Sequence, residues 1–100
     1  MKLLTKEILK KLPALYANDG KKPENIPVIV KFFTPWSNWT WYATEYNPAE
    51  KLFFGLVKGF ETELGYFSLN ELESVTGPYG LKIERDIHFE NQSLADVQKN

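Results

Sequence analysis

The sequence predicts an α+β fold: a single domain in which an antiparallel sheet of four or five strands packs against an N-terminal helix, with a second short helix. Three observations carry this. Thr5 to Leu12 shows helical spacing of apolar residues, several later segments alternate at a period of two, and Pro, Gly and Asn separate those segments at short intervals. At 100 residues, 43% of them hydrophobic and 15% aromatic, the chain accommodates one core and no second independent domain.

Thr5 is placed to cap the first helix, with Glu7 in its first turn and Ile8, Leu9 and Leu12 on one side. Pro13 interrupts that helix, because its ring cannot continue the hydrogen-bond ladder without a kink. Asn18 to Pro27 reads as a polar loop containing Asp19-Gly20 and two prolines. Val28 to Phe33 is a β-branched and aromatic strand, and Thr34-Pro35 ends it.

The most informative stretch follows. Trp36 to Tyr46 holds all three tryptophans and two of the five tyrosines. Alternation from Trp39 assigns Trp39, Trp41, Ala43 and Glu45 to one strand face, and Thr40, Tyr42, Thr44 and Tyr46 to the other. A hairpin with the preceding strand is expected, since Pro35 to Asn38 can turn the chain. Asn47-Pro48 ends the aromatic strand, and Leu52 to Lys58, apolar on both faces, predicts a central strand. Phe60 to Phe67 reads either as another strand or as a helical turn.

Ser68 and Glu71 have the spacing of a capping box before the second helix, and Gly77-Pro78-Tyr79-Gly80 closes it. A final strand is expected with Leu81, Ile83, Ile87 and Phe89 on its apolar face, Lys82, Glu84, Asp86 and His88 opposite, and Arg85 interrupting. From about residue 91 the pattern predicts a flexible, fraying tail. The predicted core comprises Ile8, Leu12, Val30, Phe32, Trp41, Phe54, Leu56, Leu72, Ile83 and Ile87.

The net charge of -1 hides an asymmetry: seven lysines precede Phe32, whereas the remainder carries five basic and ten acidic side chains. Such lysines commonly form the wet side of an amphipathic helix. No cysteine is present, so disulfide and thiolate chemistry are excluded and a reducing cytoplasm suits the chain. The N-terminus lacks the continuous apolar segment of a signal peptide, and no run has membrane-spanning length.

No strong catalytic motif appears. His88, the single histidine, stands between Asp86 and Glu90, and the pairs Glu61/Glu63 and Glu71/Glu73 are the other carboxylate groupings. A zinc site normally needs four ligands rich in thiolate or imidazole, so a hydrated strand face is the simpler reading and no cofactor or metal is expected. Lys58-Gly59-Phe60 opens like an RNA-recognition strand, but Glu61 and Glu63 bring negative charge where phosphate would run. The preferred expectation is non-catalytic protein binding through Trp36, Trp39, Tyr42 and Tyr79. The alternatives are self-association, a single-stranded nucleic-acid-binding module and a small enzyme using carboxylates and His88.

Leu12-Pro13-Ala14-Leu15-Tyr16, Val30 to Pro35 (VKFFTP), Asn38 to Glu45 (NWTWYATE), Phe53 to Val57 (FFGLV) and Glu63 to Leu69 (ELGYFSL) occur in that order. Together they make the chain resemble a family of small bacterial, plasmid and phage proteins catalogued as a domain of unknown function. The resemblance covers nearly the whole chain. It implies no established activity, cofactor or catalytic residue, and its link to mobile elements suggests an accessory protein acting on a partner.

Overall fold

A computed structural model describes residues 1–99. Helix α1 spans Lys6–Lys11, and the Thr5 hydroxyl accepts from the Ile8 N–H at 3.2 Å. The helix ends at Leu12, immediately before Pro13. The strands are β1 (Val30–Phe33), β2 (Thr40–Asn47), β3 (Leu52–Lys58), β4 (Thr62–Ser68) and β5 (Glu84–Arg85). They form one antiparallel sheet in the order β4-β3-β2-β1-β5, so the aromatic strand is the middle one and β3 is interior beside it. Residues 62–68 resolve as strand rather than helical turn. Helix α2 spans Leu69–Ser74, with Ser68 Oγ accepting from the Glu71 N–H at 2.9 Å.

The register assigns the two faces. Val30, Phe32, Ala43, Tyr46, Phe53 and Phe67 form the first, sealed by Leu3, Leu72 and Ile83. Ile8 of α1 and its C-cap Leu12 pack against it while half exposed, so α1 covers this face without burying a residue completely. On the second face Tyr42 and Leu56 meet Ile26, Val28, Leu94, Val97 and Phe89.

The strict alternation expected of the aromatic strand fails at one point. A bulge between Ala43 and Glu45 inserts Thr44, after which Glu45 pairs with Phe54 and Tyr46 with Phe53. Tyr46 therefore joins Ala43 on the first face, and Glu45 turns to the second. There the Glu45 carboxylate, only 4% exposed, accepts the backbone N–H groups of Tyr16 and Asn18 at 2.8 and 2.9 Å. The bulge thus sets the carboxylate that ties down the loop after α1.

Three further expectations are corrected. The final strand shrinks to Glu84–Arg85: the Asp86 carboxylate accepts the His88 N–H at 3.0 Å, and the resulting turn resets the alternation. Ile83 stays in the first core, Phe89 moves to the second, and Ile87, expected in the core, is 64% exposed. Phe54 is only half buried, on the second face. The tail expected to fray instead forms α3 (Leu94–Gln98), in which Ser93 and Asp96 make a reciprocal capping box and Leu94 and Val97 are buried. Leu94 N–H to Ile26 carbonyl (2.8 Å) and Val28 N–H to Gln92 carbonyl (2.9 Å) hold this segment over the sheet.

Candidate functional site

Three connections meet at one end of the sheet. In the β1–β2 turn, the Thr34 N–H donates to the Trp39 carbonyl at 3.1 Å, the Ser37 N–H donates to the Thr34 carbonyl at 3.3 Å, and the Thr34 and Ser37 hydroxyls bond to each other. The β3–β4 turn is tighter: the Gly59 N–H donates to the Glu61 carbonyl at 3.0 Å, leaving Phe60 at the tip. The third connection follows α2, where the Gly77 N–H donates to the Leu81 carbonyl at 2.7 Å. The pairing of Phe33 with Glu84 brings that third loop to the same end.

Aromatic side chains crown all three connections. Phe60 is 96% exposed and Tyr79 fully exposed. Phe60 stands edge-on to Trp39, with centroids 5.4 Å apart at 82°, and Trp39 continues to Trp41 at 5.8 Å. Trp36 and Trp41 are half buried and lean on the first core, which anchors the outer rings. Trp36 covers Gly77, where a Cβ would collide with the indole. Tyr79 adopts φ 58°, a left-handed conformation unfavourable for a bulky residue.

The four residues singled out in the sequence separate. Trp36 and Trp39 lie half buried at this end and Tyr79 projects from it. Tyr42 is buried: strand alternation points it to the second face, where it is 8% exposed and packs with Leu56 and Phe89. The ammonium groups of Lys31 and Lys58 each lie 5.7 Å from the centre of its ring. Lys31 also pairs with Asp86 at 3.5 Å. Phe60 is not recognisable as a site residue from the sequence, because a lone aromatic after glycine carries no sign of exposure. The α3 cap was legible as Ser-x-x-Asp before two apolar residues three apart.

Charge is uneven around the aromatic end. Glu61 and Glu63, both exposed, flank the Phe60 tip, whereas Lys31 and Lys58 gather around Tyr42 on the second face. His88 is exposed in the turn after β5. Among the described residues, no group of three or more His, Asp and Glu side chains is arranged to hold a metal ion.

A cleft of about 700 Å³ lies elsewhere, between Lys11, Glu24, the segment from Phe89 to Ser93, and Asp96. Its Asp96 is committed to the α3 cap, and the Ser93 backbone N–H followed by the Ser93 hydroxyl holds that carboxyl below its usual value of 3.8. The cleft is lined by none of Trp36, Trp39, Tyr79 and His88. No helix among the described residues is long and apolar enough to cross a membrane.

Comparison with known proteins gives one finding. A family model described as "Protein of unknown function (DUF2958)" matches residues 3–97. No curated protein and no solved structure matches the chain.

Proposed function

The chain belongs to the DUF2958 family of proteins of unknown function, and from its own surface we propose that it is a non-catalytic module that docks a protein partner with the aromatic end of its sheet. The observation that carries this reading is the pair Phe60 and Tyr79, two aromatic side chains held almost wholly in water beside the half-buried Trp36 and Trp39. Exposed rings braced by buried ones are the chemistry of interface anchors. Glu61 and Glu63 beside Phe60 favour a partner with an apolar pocket and a basic rim.

Single-stranded nucleic acid fits less well, because that chemistry needs rings and cations on one surface. Here Glu61 and Glu63 accompany the exposed Phe60, and Lys31 and Lys58 lie over the buried Tyr42. An enzymatic use of His88 fits less well, because the clefts that adjoin its turn are lined by Asp86, Ile87, Phe89 and Glu90 and not by His88 itself. A cytoplasmic setting accords with the cysteine-free composition, and an accessory role in a mobile element is what the family resemblance implies.

A photo-crosslinking residue at position 60 would capture the partner in the source cell, and the purified partner would then be titrated calorimetrically. Phe60→Ala combined with Tyr79→Ala should weaken binding at least about tenfold, with unchanged melting. Undiminished affinity in the double variant would remove the aromatic end as the docking surface. A salt-sensitive mobility shift with single-stranded oligonucleotides, in the absence of any protein complex, would favour the nucleic-acid reading.

A further inference from the structure

The sheet treats its two edges differently. At one edge, β5 has two residues and offers little to pair with. At the other, β4 runs for seven residues in unbroken register, from Leu52↔Ser68 to Lys58↔Thr62. Of the usual devices that protect an exposed edge, Thr62–Ser68 contains no proline, no lysine and no bulge, and Glu63 is its one charged side chain.

Two hydrogen bonds define what that edge presents. The Leu69 N–H donates to the Lys51 carbonyl at 2.9 Å, and the Gly59 N–H donates to the Glu61 carbonyl at 3.0 Å. In an antiparallel ladder, hydrogen-bonded pairs alternate, so the odd-numbered residues of β4 direct their backbone groups to β3. The N–H and C=O groups of Thr62, Leu64 and Tyr66, and the N–H of Ser68, therefore point away from β3, toward the open edge, while the Ser68 carbonyl belongs to the first turn of α2. The side chains of Leu64 and Tyr66 are 47% and 51% exposed. They stand on the second face beside Phe54, whose ring lies 5.1 Å from that of Tyr66.

We propose that this edge pairs with β4 of a second copy of the chain, antiparallel and about a two-fold axis at Gly65. Gly65 is the midpoint of Thr62–Ser68, and nothing lies within 4 Å of the position its Cβ would take. About that axis Leu64 faces Tyr66 of the second copy, and Thr62 faces Ser68 of the second copy. Apolar groups thus meet apolar groups, and hydroxyls meet hydroxyls, as favourable cross-strand pairs require.

The outward backbone groups are in phase for this register: the Leu64 and Tyr66 pairs exchange bonds, and the two Gly65 residues form the closer, non-bonded pair. Glu63 falls opposite Phe67 of the second copy. Moving the axis to residue 63 would set Glu63 against Glu63 and leave Tyr66 and Ser68 outside the pairing. This match of the strand to its own reverse selects a second copy over an unrelated peptide. The product is a continuous sheet with a joined apolar patch of Phe54, Leu64 and Tyr66 from each copy. It is independent of the aromatic end, which lies across the sheet termini.

Sedimentation of the full chain over a range of concentrations reads the association. Dimer is expected to accumulate with concentration, with the amides of Leu64 and Tyr66 becoming more protected from exchange. Leu64→Pro removes an N–H that points away from β3, and Leu64→Lys places a charge on the edge. Both should yield monomer with native circular dichroism, while Phe60→Ala leaves the dimer intact.

The chain has no cysteine, so Gly65→Cys is a direct probe of the axis: paired Cα atoms about 4.5 Å apart can be bridged by a disulfide. Thr62→Cys lies too far from its symmetry mate to do the same. Monomer at all concentrations up to about 1 mM would overturn the proposal. A dimer indifferent to Leu64→Lys, or one crosslinked by Thr62→Cys as readily as by Gly65→Cys, would also overturn it.

Discussion

Trp39 lies against the backbone of Gly59 so closely that a Cβ at Gly59 would overlap the six-membered ring of the indole. The glycine that makes the β3–β4 turn thereby also seats the tryptophan that braces Phe60. Gly59→Ala should displace the ring and cost about 1–3 kcal/mol of stability, the usual consequence of overpacking. A lower melting temperature with shifted tryptophan emission is the expected result. Unchanged emission would mean that Trp39 is not held there in solution.

The Glu45 carboxylate links the bulged strand to the loop at Tyr16 and Asn18. Glu45→Ala leaves both N–H groups without their acceptor, at about 1–3 kcal/mol for each one kept from water. Urea denaturation should show the loss, and amide exchange should accelerate at Tyr16 and Asn18 ahead of the rest of the sheet.

Ser93 and Asp96 cap α3 reciprocally. Ser93→Ala should cost about 0.5–2 kcal/mol by removing the hydroxyl that accepts from Asp96. Because Asp96 titrates below its usual 3.8, its contribution is complete above that pH and is lost as pH falls through the lowered value. Carbon-detected titration of Asp96 and acid unfolding of wild type and Ser93→Ala should show this. An Asp96 carboxyl titrating at or above 3.8 would contradict the cap.

At the alkaline end, burial first and the Glu73 charge second raise the Tyr46 hydroxyl above its usual 10.0. The fold therefore favours the protonated phenol. Its contribution is complete below 10.0 and declines as pH rises through the raised value. Ultraviolet titration should show late ionisation in the native protein, which Tyr46→Phe should remove.

Tyr79 combines a left-handed backbone with a fully exposed ring. Tyr79→Gly should relieve about 1 kcal/mol of backbone strain, partly offset by the greater freedom of glycine in the unfolded chain. A protein no less stable than wild type, yet weaker toward its partner, is the signature expected of a residue kept for binding. A marked fall in melting temperature would instead assign Tyr79 a structural role.

Local chemistry was readable in the sequence. Thr5 capping α1, Pro13 stopping it, Pro35 ending β1 and Ser68 starting α2 all depend on stereochemistry and hydrogen bonds within a few residues. The pairing of β1 with β2 followed from the short turn between two alternating segments.

The candidate site was legible only in part. Trp36, Trp39 and Tyr79 were identifiable as aromatic residues near turns, but Phe60 was not, and Tyr42 was assigned to a surface that the C-terminal segment covers. Alternation reports which residues share a strand face; it does not report what packs on that face.

The sequence by itself determined the α+β class and the succession of α1, β1, β2, β3 and α2 with most of their ends, because these follow from short-range propensity, capping and turn chemistry; it left β4 open to a helical turn and read α3 as a tail. Tertiary structure alone decided that the bulge at Thr44 reverses the faces of Glu45 and Tyr46, that Ile87 is left in water while Val97 is buried, and that Phe60 and Tyr79 share one end of the sheet. Those outcomes depend on contacts between segments far apart in the chain, where one inserted residue or one covering helix changes which side of a strand meets water.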